Sequence, residues 1–279
     1  MKLWMFPGQP LKLEQPVPDD DLRIVAELCL EHCGYDLFNC RPVDDSHLSS
    51  HTCLQIHGVA MSLYRARRLK ADGNRPDLLA EHSLGIYAAL AVSGSIAEGA
   101  ALELAARFGS SMRRMGQERS YALGCPVGLV VDPVEAAARN NGVYVANYNT
   151  SRHFLLAGEQ AGVAAALEEC RAAGAFSVSM FDCEAPLHTP LMTELASVLT
   201  AIVQEYCFAE PQVPLVESIR QTRLCAAAIP GFLVEELQQP VWWERTWKQL
   251  TADGATRGIE VGSGQVLSKF NRWIGSEKR

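Results

Sequence analysis

The chain has 279 residues, of which 48% are hydrophobic and 20% charged, and its formal net charge is −7. This composition fits a globular protein with one large or two unequal domains, and the acidic balance disfavours a nucleic-acid partner. No apolar run reaches the roughly 20 residues of a membrane span. The N-terminal residues lack a signal-peptide pattern and the nine cysteines include no C-x-x-C pair. We therefore expect a cytoplasmic protein with reduced thiols and no membrane partner.

Helical periodicity is the first structural pattern along the chain. After residues 1–8, which we expect to form an edge of the fold, apolar residues recur at helical spacing over 21–33 and 48–70. The run 86–106 is rich in small residues and is interrupted by Ser-Gly-Ser at 93–95. This break predicts two helices that pack closely at a glycine turn.

A serine lies between a short apolar run and this helical region. Residues 78–80 are Leu-Leu-Ala, and Ser83 follows within the string Glu-His-Ser-Leu-Gly at 81–85. A serine at a sharp strand-to-helix turn is the geometry of a nucleophile elbow, where the helix N-terminus also favours negative charge. Because Glu81 replaces the first glycine of the usual G-x-S-x-G pattern, a helix N-cap serine is the alternative interpretation.

From residue 120 the pattern changes to short strands and helices. The predicted elements are, in order, a strand at 126–131, a helix at 133–140, strands at 143–148 and 154–158, a helix at 160–173 and a strand at 176–180. This β-α-β-β-α-β order is the split βαβ, ferredoxin-like signature. It predicts a small domain at 120–183, inserted into a large one formed by 1–119 and 184–279.

The remainder of the chain is predicted to complete the large domain. A helix is expected at 191–206, a strand at 258–261, and a last helix after the Gly-Ser-Gly at 262–264.

Two cysteines and two histidines have a spacing close to that of a Cys2His2 zinc site. Three residues separate Cys29 from Cys33 and His47 from His51, and thirteen residues lie between the pairs. However, Cys29 falls on the apolar side of the helix predicted at 21–33, and a proline breaks the intervening segment. We therefore favour buried thiols and solvated histidines over a metal site.

Six short motifs, taken together, carry a family resemblance. They are Phe6-Pro7-Gly8-Gln9-Pro10, Glu81-His82-Ser83-Leu84-Gly85, Ala146-Asn147-Tyr148-Asn149, Ala185-Pro186-Leu187-His188-Thr189-Pro190-Leu191-Met192, Pro240-Val241-Trp242-Trp243 and Glu260-Val261-Gly262-Ser263-Gly264-Gln265-Val266-Leu267. Each is weak alone, but their order and spacing resemble those of malonyl-CoA:acyl carrier protein transacylases. The resemblance implies an α/β fold, with a large α/β-hydrolase-like subdomain that contains a parallel sheet and an inserted ferredoxin-like (βαββαβ) small subdomain.

The resemblance also implies a serine mechanism. Ser83 would attack a thioester carbonyl while His188 takes its proton as general base. The backbone N–H groups of Gln9 and Leu84 would form the oxyanion hole, and the backbone carbonyl of Trp242 would orient the histidine. A loop histidine and a plain turn glutamine are the alternative interpretations of His188 and Gln9.

One departure from the family bears on the substrate. The family's Arg-Gly-x-x-Met pattern, whose arginine pairs with the malonyl carboxylate, appears here with Phe108 in the arginine position. Arg107 is one residue early, about 100° around a helix, so it should point elsewhere unless the chain shifts locally. Phe108, His82 and Leu187 are therefore expected to line a pocket for an uncharged acyl chain.

We accordingly expect an S-acyltransferase that moves an acyl group from acyl-CoA or an acyl carrier protein, through an acyl-serine, to a carrier-protein pantetheine thiol. The scheme is ping-pong and needs neither metal nor cofactor, and the resemblance leans to a monomer. An acyl-carrier-protein thioester hydrolase on the same scaffold is the first alternative. The second is a non-catalytic module that binds carrier protein, and a lipase-type hydrolase is disfavoured by the insert.

Overall fold

The computed structural model describes residues 1–43 and 48–276. The strands are β1 (Lys2–Phe6), β2 (Tyr35–Asp36), β3 (Arg41–Pro42), β4 (Leu78–Glu81), β5 (Tyr121–Val127), β6 (Tyr144–Thr150), β7 (His153–Glu159), β8 (Ser177–Cys183), β9 (Leu215–Val216) and β10 (Arg257–Glu260). The helices are α1 (Asp20–Cys33), α2 (Ser50–Ala71), α3 (Gly85–Ser93), α4 (Glu98–Glu118), α5 (Val131–Asn140), α6 (Gln160–Ala172), α7 (Ala196–Val203), α8 (Ile229–Glu235), α9 (Trp243–Ala252) and α10 (Val266–Ser276).

A parallel sheet with the order β10-β1-β4-β9 forms the centre of the larger part of the molecule. The prediction that the N-terminal segment is an edge is wrong, because β1 pairs with a strand on each side. Its sequence explains this position, since residues 3–6 are all large, apolar and at most 1% exposed. A strand buried on both faces is typical of parallel sheets covered by helices.

The alternation of side chains along β1 divides the core into two clusters. Trp4 and Phe6 pack into a large cluster with apolar residues of α1 to α4, whereas Leu3 and Met5 join a smaller cluster with residues of α9 and α10. Because successive side chains of a strand point to opposite faces, helices cover both sides of the sheet. The carboxyl ends of β1 and β4 therefore lie together, beneath the turn that contains Ser83.

A separate antiparallel sheet has the strand order β6-β7-β5-β8. Helices α5 and α6 pack on this sheet, and a third core cluster of its own contains Phe154, Leu156 and Val163. Numbered within the sheet, the order is 2-3-1-4, which is the ferredoxin-like arrangement. The predicted fold class is confirmed, with its parallel sheet and its βαββαβ insert, whereas the domain boundaries at 1–119, 120–183 and 184–279 stay predictions.

Three predicted elements differ from the structure. The strand expected at 126–131 is β5, which ends at Val127 because Gly128 adopts a φ of 103° that turns the chain towards α5. The helix expected at 191–206 is a 3-10 turn, Pro190–Leu195, followed by the short α7. Helix α4 extends beyond residue 106 because Phe108, Met112 and Met115 continue its buried stripe.

The cysteine–histidine spacing does not become a cluster in the described part of the chain. Cys29 is a fully buried residue of α1, where desolvation raises the pKa of its thiol well above the usual value. His51 contacts the carbonyl oxygen of Asp182 through Nε2 at 2.9 Å, and His47 lies outside the described residues. Within 1–43 and 48–276, no group of three or more histidine, cysteine or acidic side chains is arranged to hold a metal ion, and no helix there has the length and apolarity to span a membrane.

Candidate active site

Ser83 occupies a strained turn between a strand and a helix. Strand β4 ends at Glu81, α3 begins at Gly85, and Ser83 has a φ of 56°, in the left-handed region. That conformation costs a non-glycine residue about 1–2 kcal/mol, so the surrounding contacts must hold it. The N-cap of α3 is Leu84, without a side-chain capping bond, so Ser83 is not a capping serine. Its hydroxyl is instead directed to a histidine.

The close approach of Gly85 to β1 determines how near this turn lies to the sheet. A Cβ atom on Gly85 would lie 2.2 Å from the carbonyl oxygen of Phe6, far inside van der Waals contact. The same carbonyl accepts a hydrogen bond from the backbone N–H of His82 at 3.0 Å. Glycine at 85 is therefore required for the elbow to settle against the carboxyl end of β1.

His188 lies opposite Ser83 in a second strained turn. It has a φ of 60° and is 4% exposed, and the following Thr189 donates its hydroxyl to the carbonyl of Pro186 at 2.6 Å. The Nε2 atom of His188 is 2.6 Å from the Oγ of Ser83. This distance is within the range expected for a nucleophile and its general base.

The other ring nitrogen of His188 fixes the tautomer. Nδ1 is 2.7 Å from the backbone carbonyl oxygen of Glu236, and because a carbonyl only accepts, Nδ1 must carry the proton and Nε2 must accept from Ser83. Desolvation lowers the pKa of His188 to about 4. The imidazole is therefore neutral at pH 7 and ready to take a proton.

The prediction that Trp242 supplies the orienting carbonyl is wrong. The carbonyl of Trp242 accepts from the backbone N–H and the hydroxyl of Thr246, because Trp242 is the N-cap residue of α9. Its indole stacks on Tyr148 at a centroid distance of 3.9 Å and beneath Arg245. The orienting residue is Glu236, at the start of the 3-10 turn that follows α8.

A cavity opens beside Ser83. Its lining is mostly apolar with a few polar groups, and consists of Gln9, Gln55, Ser83, Leu84, Tyr87, Ala105, Phe108, Met112, Leu187, Glu236 and Leu237. Phe108 is 1% exposed and meets the ring of Tyr87 edge-on, at 6.0 Å between centroids. The lining holds the predicted Phe108 and Leu187, and among the described residues it contains no lysine or arginine.

Gln9 and Leu84 also line this cavity, together with the nucleophile. Among the described residues, no hydrogen bond uses the backbone N–H of either one. Donors without an internal partner beside a nucleophile are the groups that an oxyanion hole requires.

Arg107 is directed away from the cavity. Its guanidinium donates to the carboxylate of Glu205 at 2.6 and 2.9 Å and to the hydroxyl of Tyr206 at 3.3 Å. The bonds with Glu205 and Tyr206 raise the pKa of Arg107, so its charge is permanent but engaged elsewhere. Arg107 precedes Phe108 by one residue in α4, so its side chain leaves the helix in another direction and points away from the cavity, as the sequence predicted.

His82 departs from the prediction that it lines the acyl pocket. Its Nε2 is 2.9 Å from the Oδ1 of Asn149 in β6, and its ring meets that of Trp243 at 5.9 Å. The residue immediately precedes the elbow serine, and its side chain lies towards the antiparallel sheet, where it meets Asn149. His82 therefore links the elbow to that sheet, and Asn149 is its partner rather than a substrate contact.

Three buried glutamates, one of which belongs to the cavity lining, were not among the site residues predicted from the sequence. Glu81, Glu217 and Glu236 are each at most 2% exposed. One oxygen of Glu81 accepts from the backbone N–H of Ser218 at 2.7 Å, whereas its Oε2 has no partner within the described chain. Desolvation, with a contribution from the charge of Glu217, raises the pKa of Glu81 to about 8. The only sequence signal was the replacement of an expected glycine by Glu81.

The fold and this serine–histidine pair define the class of the protein. The family model for the acyl transferase domain matches residues 22–270, and the chain belongs to that family. Both the predicted fold class and the predicted family resemblance are thereby confirmed.

Individual relatives indicate which members of this family the chain resembles. The chain is 29% identical to the malonyl CoA-acyl carrier protein transacylase of Escherichia coli (strain K12) over 284 aligned positions, which cover 97% of this chain and 92% of that protein. A malonyl-transacylase solved with its type II PKS acyl-carrier protein (PlMCAT:AntF, holo) matches with a TM-score of 0.90 and 27% identity, covering 99% and 93% of the two chains. An acyl carrier protein S-malonyltransferase from Vibrio cholerae O1 biovar eltor str. N16961 matches with a TM-score of 0.86 and 26% identity, covering 99% and 94%.

Proposed function

We propose that the protein is a serine-dependent S-acyltransferase of fatty acid or polyketide biosynthesis. It takes an acyl group from an acyl-CoA or acyl-carrier-protein thioester and passes it to the pantetheine thiol of an acyl carrier protein. The observation that carries the proposal is the chain of hydrogen bonds from Ser83 Oγ through His188 to the carbonyl of Glu236. The names of the relatives support a carrier protein as acceptor.

The first half of the reaction acylates the serine. Ser83 Oγ attacks the thioester carbonyl carbon while its proton moves to His188 Nε2, and the Glu236 carbonyl stabilises the imidazolium through Nδ1–H. The negative oxygen that forms accepts from the backbone N–H groups of Gln9 and Leu84. Cleavage of the carbon–sulfur bond then releases the thiol, which takes the proton from His188.

The second half reverses these steps with a different thiol. The pantetheine thiol of the carrier protein gives its proton to His188 and attacks the acyl-serine, and collapse of the tetrahedral intermediate returns the proton to Ser83. Every step uses side chains and backbone groups of the chain itself. We infer a cytoplasmic, monomeric enzyme, in keeping with the expectations from the sequence.

The acyl specificity is proposed to differ from that of a malonyl enzyme. A malonyl carboxylate in this cavity would meet Phe108 instead of a guanidinium, and Arg107 is engaged with Glu205 outside the lining. An unpaired carboxylate in an apolar cavity is strongly disfavoured. We therefore expect acyl groups without a carboxylate to acylate Ser83 faster than malonyl does.

Intact-mass measurement of the protein after incubation with malonyl-, acetyl- and longer acyl-CoA tests this function, with Ser83→Ala beside the wild type. We expect acetyl or longer adducts that require Ser83 and transfer to holo-carrier protein. A malonyl adduct formed as fast as acetyl would contradict the specificity. Adducts that decay to free acid at the same rate with and without carrier protein would identify a hydrolase, and no adduct at all would leave a non-catalytic binding module.

A further inference from the structure

Gln55 is a buried polar residue in the wall of the cavity beside Ser83. It belongs to α2, where its neighbours Cys53 and Ile56 are core residues, and it is itself 8% exposed. Within the described chain its side-chain amide makes no hydrogen bond, although neither amide atom is sealed off by protein. A buried amide without a partner costs free energy. An accessible amide of this kind, at the wall of a substrate cavity, indicates that a molecule in the cavity supplies the partner.

The position of the amide oxygen places the amide on the cavity side of α4. Ala105, Phe108 and Met112 are the residues of α4 that line the cavity, and their spacing defines one stripe of the helix. Gly109 lies within this stripe, four residues after Ala105 and three before Met112. A Cβ atom on Gly109 would overlap the Oε1 of Gln55, so this oxygen lies directly in front of the stripe. The glycine therefore leaves room for the amide at the cavity wall.

We propose that Gln55 is the specificity-determining residue of this cavity and selects acyl groups that carry a hydroxyl group at their far end. The inference rests on the proposed acyltransferase function and narrows its substrate class to hydroxyacyl thioesters. A carboxamide offers one acceptor oxygen and two N–H donors, and a hydroxyl, which both donates and accepts, can pair with either side of it. Since both groups are uncharged, the selection requires no ion pair.

Other acyl groups match the amide less well. An alkyl end excludes water from the space in front of the amide and leaves the amide without a partner. A carboxylate can accept from the N–H groups, but it brings a negative charge to a lining that has no lysine or arginine among the described residues. The order of preference is therefore hydroxyacyl, then alkyl acyl, then malonyl.

Pairs of thioesters of nearly equal size test the proposal. 3-Hydroxypropionyl-CoA and butyryl-CoA differ only in the exchange of a terminal methyl for a hydroxyl, and 4-hydroxybutyryl-CoA and pentanoyl-CoA repeat the exchange one carbon further out. The rates of Ser83 acylation are compared by intact mass at pH 7. We expect the wild type to prefer the hydroxyacyl group by about fivefold or more in at least one pair, the effect of one neutral hydrogen bond.

Gln55→Leu keeps a side chain of similar size and removes both hydrogen-bonding groups. Since the ratio of the two rates is taken within each protein, a general loss of activity cancels, and we expect that ratio to fall about fivefold or more in the pair that the wild type discriminates. Gln117→Leu is the matched control, because it makes the same chemical exchange at an exposed position of α4 outside the cavity lining. Its ratio should stay at the wild-type value.

The outcomes separate this inference from the function on which it rests. If the wild type loads the alkyl group as fast as the hydroxyacyl group in both pairs, the inference is overturned and the acyltransferase stands, and this result needs no variant. A wild-type preference that persists in Gln55→Leu also overturns the role of Gln55. If no thioester gives an adduct that depends on Ser83, the proposed function fails and the inference fails with it.

Discussion

Ser83 and His188 meet with 2.6 Å between Oγ and Nε2, and both residues hold left-handed backbone, at φ values of 56° and 60°. Two non-glycine residues in that region, facing each other, store strain at a single point of the fold. The contacts around them must therefore supply compensating stability. Two strained turns that bring a hydroxyl to a neutral imidazole are consistent with selection for chemistry rather than for stability.

Replacing Ser83 with glycine should give a more stable protein than replacing it with alanine. Both variants lose the hydroxyl, but only glycine relieves the positive φ, which outweighs its greater loss of chain entropy. We expect Ser83→Gly to exceed Ser83→Ala by about 1 kcal/mol in free energy of unfolding, measured in urea. The control is Ala165→Gly in the exposed middle of α6, which should cost about 1 kcal/mol. Equal stability of the two Ser83 variants would mean that the elbow is not strained.

The rate of serine acylation should change little when the pH is lowered moderately below neutral. Since desolvation lowers the pKa of His188 to about 4, the base remains neutral well below the ordinary histidine range. We expect the single-turnover rate with acetyl-CoA to change little between pH 5.5 and 7.5 and to fall only as the pH approaches 4. An unshifted histidine would instead lose about fivefold between pH 6.5 and 5.5. A midpoint near 6.5 would contradict the burial of the imidazole, and His188→Ala should abolish the reaction at every pH.

Gly85→Ala should damage both stability and acylation. The added Cβ would overlap the carbonyl oxygen of Phe6, which belongs to the buried strand β1 and cannot move away. We expect a loss of about 3 kcal/mol or more and a displaced elbow. Gly231→Ala is the matched control, because it lies in α8 with no atom within 4 Å of its Cβ position, and it should be neutral or stabilising. Similar unfolding curves for the two variants would refute the close approach at Gly85.

The sequence was sufficient where one local pattern determines the structure. Apolar periodicity placed α1 within a residue of its observed bounds, and the βαββαβ order of the insert followed from alternating short patterns. The elbow motif indicated Ser83 and the family resemblance indicated His188, and the structure brings the two side chains together. Ser83 and His188 are 105 positions apart, so their contact rested on the resemblance and not on local pattern.

The predictions failed where the position of a functional group depends on how segments that are distant in sequence pack together. The orienting carbonyl belongs to Glu236 and not to Trp242, six residues away, because α8 ends in a 3-10 turn against His188 while Trp242 begins the next helix. The direction of the His82 side chain depends on Asn149, in the other sheet. Neither the apolar periodicity nor the spacing of motifs in a sequence predicts where a backbone carbonyl lies or which groups surround a buried carboxyl.

The buried carboxyl of Glu81 should make the stability of the protein depend on pH. Its pKa rises from 4.5 to about 8 on folding, so the folded state binds a proton more tightly than the unfolded chain. Stability is then highest below pH 4.5 as far as this group is concerned, and it falls as the pH rises through the window from 4.5 to about 8. Glu81→Gln keeps an oxygen for the N–H of Ser218 and removes the charge.

Urea unfolding of the wild type and of Glu81→Gln at several pH values measures this effect. We expect the free energy of unfolding of the wild type to fall by a few kcal/mol relative to Glu81→Gln between pH 6 and 9, on the order of 1.4 kcal/mol per pH unit. Glu118→Gln, at an exposed position of α4, should follow the wild-type curve. Parallel curves for wild type and Glu81→Gln would show that Glu81 is ionised in the folded protein near neutral pH, with a partner for its second oxygen.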